Sequence, residues 1–202
     1  MKPYIGLDIG TTKVAVVAAE PEESGALKIV GIGHAPSEGM RRGVVVNLEE
    51  AVRSIRSAAA EAERMAGTPV REVAVGIAGE HVRSINSRGV IAVSREGSEI
   101  GSDDVARVVE AARAVAIPGD RQVLHVIPQE FVVDDQAGIR NPVGMSGVRL
   151  EAEVHIVTGG VTSVRNLEKA VRGAGLKPVS FVLEPLASAR AVLTADEKSL
   201  GC

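Results

Sequence analysis

The chain has 202 residues, 23 basic and 26 acidic side chains for a net charge of −3, 45% hydrophobic residues, and Tyr4, Phe131 and Phe181 as its aromatics. That length buries a core of one to two domains without disulfides or a structural metal, and the single Cys202 excludes an intrachain disulfide and a thiolate zinc centre and implies a reducing compartment. The mildly acidic balance without Trp argues against a nucleic-acid partner, and Asp8 breaks the first apolar run too early for a signal peptide or membrane span, which leaves small-molecule or protein binding.

In chain order, Tyr4 to Ile9 reads as a buried strand, Lys13 to Ala19 resumes strand character after the Gly10-Thr11-Thr12 turn, and Leu27 to His34 completes a meander. Asn47 offers an N-cap with Glu50 placed as in a capping box, and Leu48, Val52, Ile55, Ala59, Ala62 and Ala66 recur at helical spacing up to a stop near Gly67 and Pro69. The apolar run Glu72 to Ala78 predicts an interior parallel strand, so the first eighty or so residues read strand, strand, strand, helix, strand. From His81 to about Thr158 the character changes. Strands Arg121 to Val133 and Val148 to Thr158 flank a glycine-rich loop, beside one helix over Ser102 to Ala116 with Asp103 and Asp104 at its N-terminus. Within that separate small α+β module, Gly138 to Gly147 is expected to be a mobile contact loop. Then Thr162 is placed to cap a helix ending at Gly175, Val179 to Leu183 reads as a short buried strand, and a last helix starts at Pro185.

The sharpest chemical signal is Asp8-Ile9-Gly10-Thr11-Thr12-Lys13. A carboxylate ends a strand, glycine permits a tight turn, and two hydroxyls with their amides stand beside a lysine, the makings of a phosphate clamp in which Asp8 holds Mg²⁺ through water. The alternative is an ordinary hairpin turn whose Thr residues bond their own backbone. Glu184 closes the Val179–Leu183 strand, at the sheet edge where α/β folds place ligands, and could orient a water for attack on a phosphate; alternatively it only favours the start of the next helix. Other patterns carry less. Gly31-Ile32-Gly33 lacks the third glycine of a dinucleotide fingerprint and lies within a strand; His34, His81, His125 and His155 show no metal-ligand spacing, and His125 and His155, each in an apolar strand, read as structural.

The Gly6-Leu7-Asp8-Ile9-Gly10-Thr11-Thr12-Lys13 start with its following element order resembles the actin, sugar-kinase and heat-shock-chaperone superfamily. Longer stretches are similar to the FtsA family of bacterial cell-division proteins: Gly79-Glu80-His81-Val82 through Asn86-Ser87-Arg88-Gly89, Arg121 through Phe131, and Gly138 through Arg149. That resemblance covers essentially the whole chain. It implies an α/β, actin-like (ribonuclease H-like) subdomain 1A, residues 1–80 and 160–202, interrupted by a small α+β insertion, subdomain 1C, over 81–159. It also implies ATP and Mg²⁺ as cofactors, with Asp8, Gly10, Thr11, Thr12 and Lys13 making the first phosphate contacts, Mg²⁺ held through water by Asp8, and Glu184 as the catalytic residue that positions the hydrolytic water. Family members polymerise through subdomain 1C, link the FtsZ ring to the cytoplasmic membrane at the division septum, and recruit later division proteins. The sequence stops at Cys202, where the family continues into a second phosphate motif, an adenosine-binding segment, an FtsZ-binding subdomain and an amphipathic membrane helix. The expectation is therefore an N-terminal half that binds ATP weakly without steady hydrolysis, the whole protein being a weak ATPase at most. The alternatives are a sugar-kinase-like phosphotransferase and an actin-like pilus-assembly protein. The former needs a base beyond Asp8 and Glu184, and the Asn141-Pro142-Val143-Gly144 loop resembles FtsA rather than the latter.

Overall fold

The computed structural model describes residues 3–93 and 99–201, so Cys202 lies outside the described residues. The chain forms two compact units, Met1–Val82 with Gly160–Cys202, and Arg83–Gly159. The first unit begins with β1 (Tyr4–Ile9), β2 (Lys13–Pro21), β3 (Leu27–Pro36), the short strands β4 (Met40–Arg41) and β5 (Val44–Val45), helix α1 (Leu48–Ala66) and β6 (Glu72–Ile77). The second contains β7 (Arg83–Ala92), α2 (Ser102–Arg113), β8 (Arg121–Val133), β9 (Gln136–Ile139) and most of β10 (Arg149–Gly160). The chain returns to the first unit with α3 (Val161–Gly173), β11 (Lys177–Leu183), α4 (Glu184–Val192) and α5 (Ala195–Leu200).

The first unit is built on a five-stranded sheet in the order β11-β6-β1-β2-β3. The meander β1-β2-β3 pairs antiparallel, whereas β6 pairs parallel with β1 and β11 parallel with β6, each after a helical crossover. Strand alternation puts Ile5, Leu7, Ile9, Val14, Val16, Val73, Val75 and Ile77 in the core, on the face that α1 covers. Gly33 explains why α1 can lie so close: a Cβ there would come within 2.5 Å of the Ala62 amide nitrogen. The Gly31-Ile32-Gly33 stretch thus serves helix packing, within a strand as its pattern indicates.

Asn47 caps α1 as expected, its Oδ1 accepting from the amides of Glu49 at 3.1 Å and Glu50 at 3.3 Å. The expected return bond from Glu50 is replaced, because the Asn47 N–H donates to the Gly39 carbonyl at 3.1 Å. Gly67 closes the helix with φ +66°. Thr162 is not a cap: Gly160 occupies that position without a side-chain bond, and α3 starts at Val161. Helix α2 ends at Arg113 rather than Ala116, and α4 begins at Glu184, one residue before Pro185. The short strands β4 and β5 and helix α5 have no counterpart in the sequence reading, being too short for periodicity to reveal.

The second unit is a four-stranded sheet in the order β7-β10-β8-β9. Leu150, Ala152, Val154 and Ile156 of β10 pack with Val108 and Ala112 of α2 and with Ile100, Phe131 and Val133. The Gly138–Gly147 segment, expected to be a mobile contact loop, is tied to the entry of α2. The Gly144 N–H donates to the Ile100 carbonyl, the Ile100 N–H donates to the Met145 carbonyl, both at 2.9 Å, and Met145 packs on the core.

Candidate functional site

The site grows out of strand ends in the first unit. Asp8 is on the face of β1 opposite Leu7 and Ile9, so the alternation that buries those two apolar residues aims its carboxylate away from α1. The turn that follows is closed by the Gly10 N–H donating to the Lys13 carbonyl at 3.0 Å and anchored to the end of β3 by the Ser37 N–H donating to the Thr12 carbonyl at 3.1 Å. Because Leu7 pairs with Val75, Gly76 of β6 lies beside Asp8; because Val182 pairs with Gly76, Glu184 follows on the other flank.

This register brings two carboxyl groups together. A Cβ added at Gly76 would sit 3.1 Å from Glu184 Cγ, 3.5 Å from its Oε1 and 3.6 Å from Asp8 Oδ1, so the missing side chain of Gly76 provides the room in which they converge. Burial pushes the Glu184 carboxyl above the usual carboxylate range, and the charge of Asp8 and a hydrogen bond with it act in the same direction. Among the described residues no donor reaches the buried Asp8 Oδ1. Two ionised carboxylates have no donor between them; a proton on Glu184 or a cation would satisfy that oxygen.

An open cleft of about 500 Å³ adjoins the pair, lined by Gly10, Thr11, Arg42, Gly79, Glu80 and Glu184 among others. Of the residues singled out in the sequence, Gly10, Thr11 and Glu184 line it, and Asp8 stands beside Glu184. Thr12 and Lys13 are not among its lining residues; both are exposed, and their carbonyls hold the turn together. The sequence reading missed Gly76, Arg42 and Glu80. Only Arg42-Gly43 left a signal, glycine as the second of two residues between Met40-Arg41 and Val44-Val45, which marks a tight hairpin.

The donor set fits a Mg²⁺-bound phosphate ligand. Magnesium takes oxygen ligands, few of them carboxylates, and keeps its waters, which suits an orphaned carboxylate oxygen beneath an open cleft with backbone amides at a glycine turn. Elsewhere His155 Nδ1 lies 2.6 Å from Asn86 Oδ1 and His34 Nδ1 lies 3.5 Å from Glu61 Oε2. Among the described residues no group of three His, Cys, Asp or Glu side chains could hold a metal.

Comparison with known proteins places this geometry in a family. Residues 79–158 match the family model described as "SHS2 domain inserted in FTSA". The chain is 52% identical over 200 residues to a cell division protein FtsA of Pseudomonas aeruginosa, covering 99% of this chain and 48% of that one. It is 43% identical over 198 residues to the Bacillus subtilis protein of the same name, covering 98% and 45%. The figures for that of Escherichia coli are 42% over 200 residues, covering 99% and 47%. Among solved structures it is similar to the "PilM-PilN type IV pilus biogenesis complex", with a TM-score of 0.64 and 18% identity over 93% of this chain and 49% of that chain, a likeness of fold alone. Over 99% of its length, then, the chain belongs with the FtsA proteins, an α/β chain of actin-like fold with an SHS2 insertion that spans about half the length of the curated relatives it matches.

Proposed function

We propose that this chain is the Mg²⁺–ATP-binding part of an actin-like cell-division protein, one that polymerises, links the FtsZ ring to the cytoplasmic membrane at the septum and recruits later division proteins. The relatives' name supports the division role. The observation that carries the nucleotide reading is the buried, unpartnered Asp8 Oδ1 beside Glu184 at the mouth of a glycine-turn cleft. Bound Mg²⁺ would supply charge neutralisation of the phosphate oxygens. The Thr11 amide and hydroxyl would hold phosphate, on a turn shaped by Gly10, whose own N–H closes it onto Lys13, and by Thr12 and Lys13, and Asp8 would hold Mg²⁺ through water. Glu184, at the first position of α4, orients the attacking water in any hydrolysis, and the proton it readily takes up at the paired site is the one such a base must accept. Self-association is assigned to the inserted unit, subdomain 1C in the family's terms. The FtsZ and membrane contacts are assigned to the part of the relatives that this chain does not match; among the described residues no helix is long and apolar enough to cross a membrane.

Calorimetric titration with Mg²⁺–ATP tests this. The chain alone is expected to bind weakly, only with Mg²⁺ present, and to show no steady phosphate release. Micromolar affinity would contradict a site completed by a second lobe, and no binding at millimolar nucleotide would contradict the nucleotide reading itself.

A further inference from the structure

The nucleotide reading leaves Arg42, which lines the cleft, without a role. Arg42 and Gly43 are the two residues joining β4 to β5, and both have positive φ, +49° and +77°. That is the backbone of a type I′ hairpin turn, for which Asn-Gly or Gly-Gly is the favoured sequence. Arginine in the left-handed region is locally unfavourable, so an arginine here points to a use for its side chain. The turn is also held in place. A Cβ at Gly43 would lie 2.8 Å from Gly79 Cα, and one at Gly79 would lie 2.7 Å from the Arg42 carbonyl oxygen, so the turn rests on the backbone of Ala78–Gly79 at the cleft wall.

The charges around it complete the case. Among the described residues lining the cleft, Glu80 and Glu184 are acidic and Arg42 supplies the cation. A polyanion entering beside two carboxyl groups needs such a cation. Arg42 Nη1 donates to Glu80 Oε1 at 3.2 Å, but both side chains are about 70% exposed, 69% and 72%. An ion pair so exposed is weak and exchanges readily for a stronger partner, and the planar guanidinium fits phosphate oxygens bidentately.

We propose that Arg42 is a specificity-determining residue of the cleft, exchanging Glu80 for the terminal phosphate of a nucleoside triphosphate and so favouring tri- over diphosphate. Glu80 is its resting partner, and the left-handed turn fixes the distance from which the side chain reaches.

This inference rests on the nucleotide reading, and one experiment separates the two. The arginine Nε–H resonances and the backbone amides of the whole chain are followed by NMR during titration with Mg²⁺–ATP and Mg²⁺–ADP, for the wild type and for Arg42→Asn. The expected result is that the Gly10 and Thr11 amides respond to both nucleotides, while the Arg42 Nε–H responds to the triphosphate. Arg42→Asn then weakens Mg²⁺–ATP about tenfold and Mg²⁺–ADP less than about twofold, the loss expected for one charge-assisted contact to the terminal phosphate. Asn favours this turn, so the variant keeps or raises the melting temperature, which a merely structural arginine would not allow. If Gly10 and Thr11 respond but Arg42 does not, or both nucleotides weaken equally, the proposal fails and the nucleotide reading stands. Silence at Gly10 and Thr11 with both nucleotides overturns both. Lys in place of Arg42 checks the geometry: the point charge restores part of the affinity but less of the discrimination between the nucleotides.

Discussion

The two units treat carboxylate oxygens cut off from solvent in opposite ways. In the second unit Glu151 is 3% exposed, yet Arg88 Nε reaches its Oε2 at 2.7 Å and Arg149 bonds its Oε1. Asp104, likewise 3% exposed, accepts from the Gly101 amide at 3.0 Å and from Arg107 at 2.9 Å. In the first unit, among the described residues, no donor reaches Asp8 Oδ1, and its near neighbour is another carboxyl, Glu184, whose ionisation Asp8 opposes. Charge satisfied within the fold belongs to structure. Charge left unsatisfied at strand ends, beside an open cleft, is what the proposed Mg²⁺–nucleotide site requires.

Substitutions can break this contrast or sharpen it. The largest stability effect is expected away from both carboxylate sites, at Gly33. Its Ala variant would push the α1 backbone off β3 and should cost about 3 kcal/mol in urea denaturation, since the clash is with main chain rather than a flexible side chain. A loss below about 1 kcal/mol would mean that α1 is not held as closely as the packing implies. Next comes Glu151→Gln, which leaves two arginines without their shared carboxylate and should cost about 2 kcal/mol, moderated because both arginines are half exposed. Asp8→Asn should behave in the opposite sense, leaving stability within about 1 kcal/mol of wild type or raising it, because it removes like-charge repulsion without breaking an ion pair.

The smallest effect carries a pH signature. Glu184 has its folded-state pKa raised above its ordinary 4.5, so its protonated form favours the fold. That contribution is fully present below the unfolded value and is lost as pH rises through the folded one. In buffer free of divalent cations, Glu184→Gln should therefore be as stable as wild type at low pH and more stable at neutral pH, by about 1 kcal/mol or less. Equal stability at both pH values would remove the argument that the two carboxyls oppose each other.

Much of this was legible in the sequence because it rests on local rules. Apolar runs marked β1 and β6, and Asn47 with Gly67 marked the ends of α1, whereas the expected buried strand Val179–Leu183 is the edge strand β11, Lys177–Leu183, half-buried or exposed throughout because only β6 flanks it. Asp8, Gly10, Thr11 and Glu184 were likewise visible as a carboxylate after a strand, a turn, and a carboxylate before a helix. Their convergence was not legible, since it depends on β6 lying between β1 and β11 in a register that sets Gly76 beside both acids. Gly76 looked like one more residue of an apolar strand, and its meaning is the space it leaves. Arg42 was only partly legible: Gly43 marks a tight hairpin, but two-residue strands have no periodicity, and nothing in composition shows the positive φ of Arg42 itself. For the Gly138–Gly147 loop the glycines signalled the turn, but not the backbone bonds that Gly144 and Met145 make with Ile100, which are tertiary.

The contrast between the units is tested most directly by the shift in melting temperature that millimolar Mg²⁺–ATP produces in wild type, Glu151→Gln and Asp8→Asn measured side by side. The expected result is a crossed one: Glu151→Gln melts lower than wild type but keeps the nucleotide-induced shift, while Asp8→Asn melts no lower than wild type and loses it. An Asp8→Asn protein that melts well below wild type yet still responds to Mg²⁺–ATP would contradict the account, for the unsatisfied carboxylate would then be structural and the ligand would be held elsewhere.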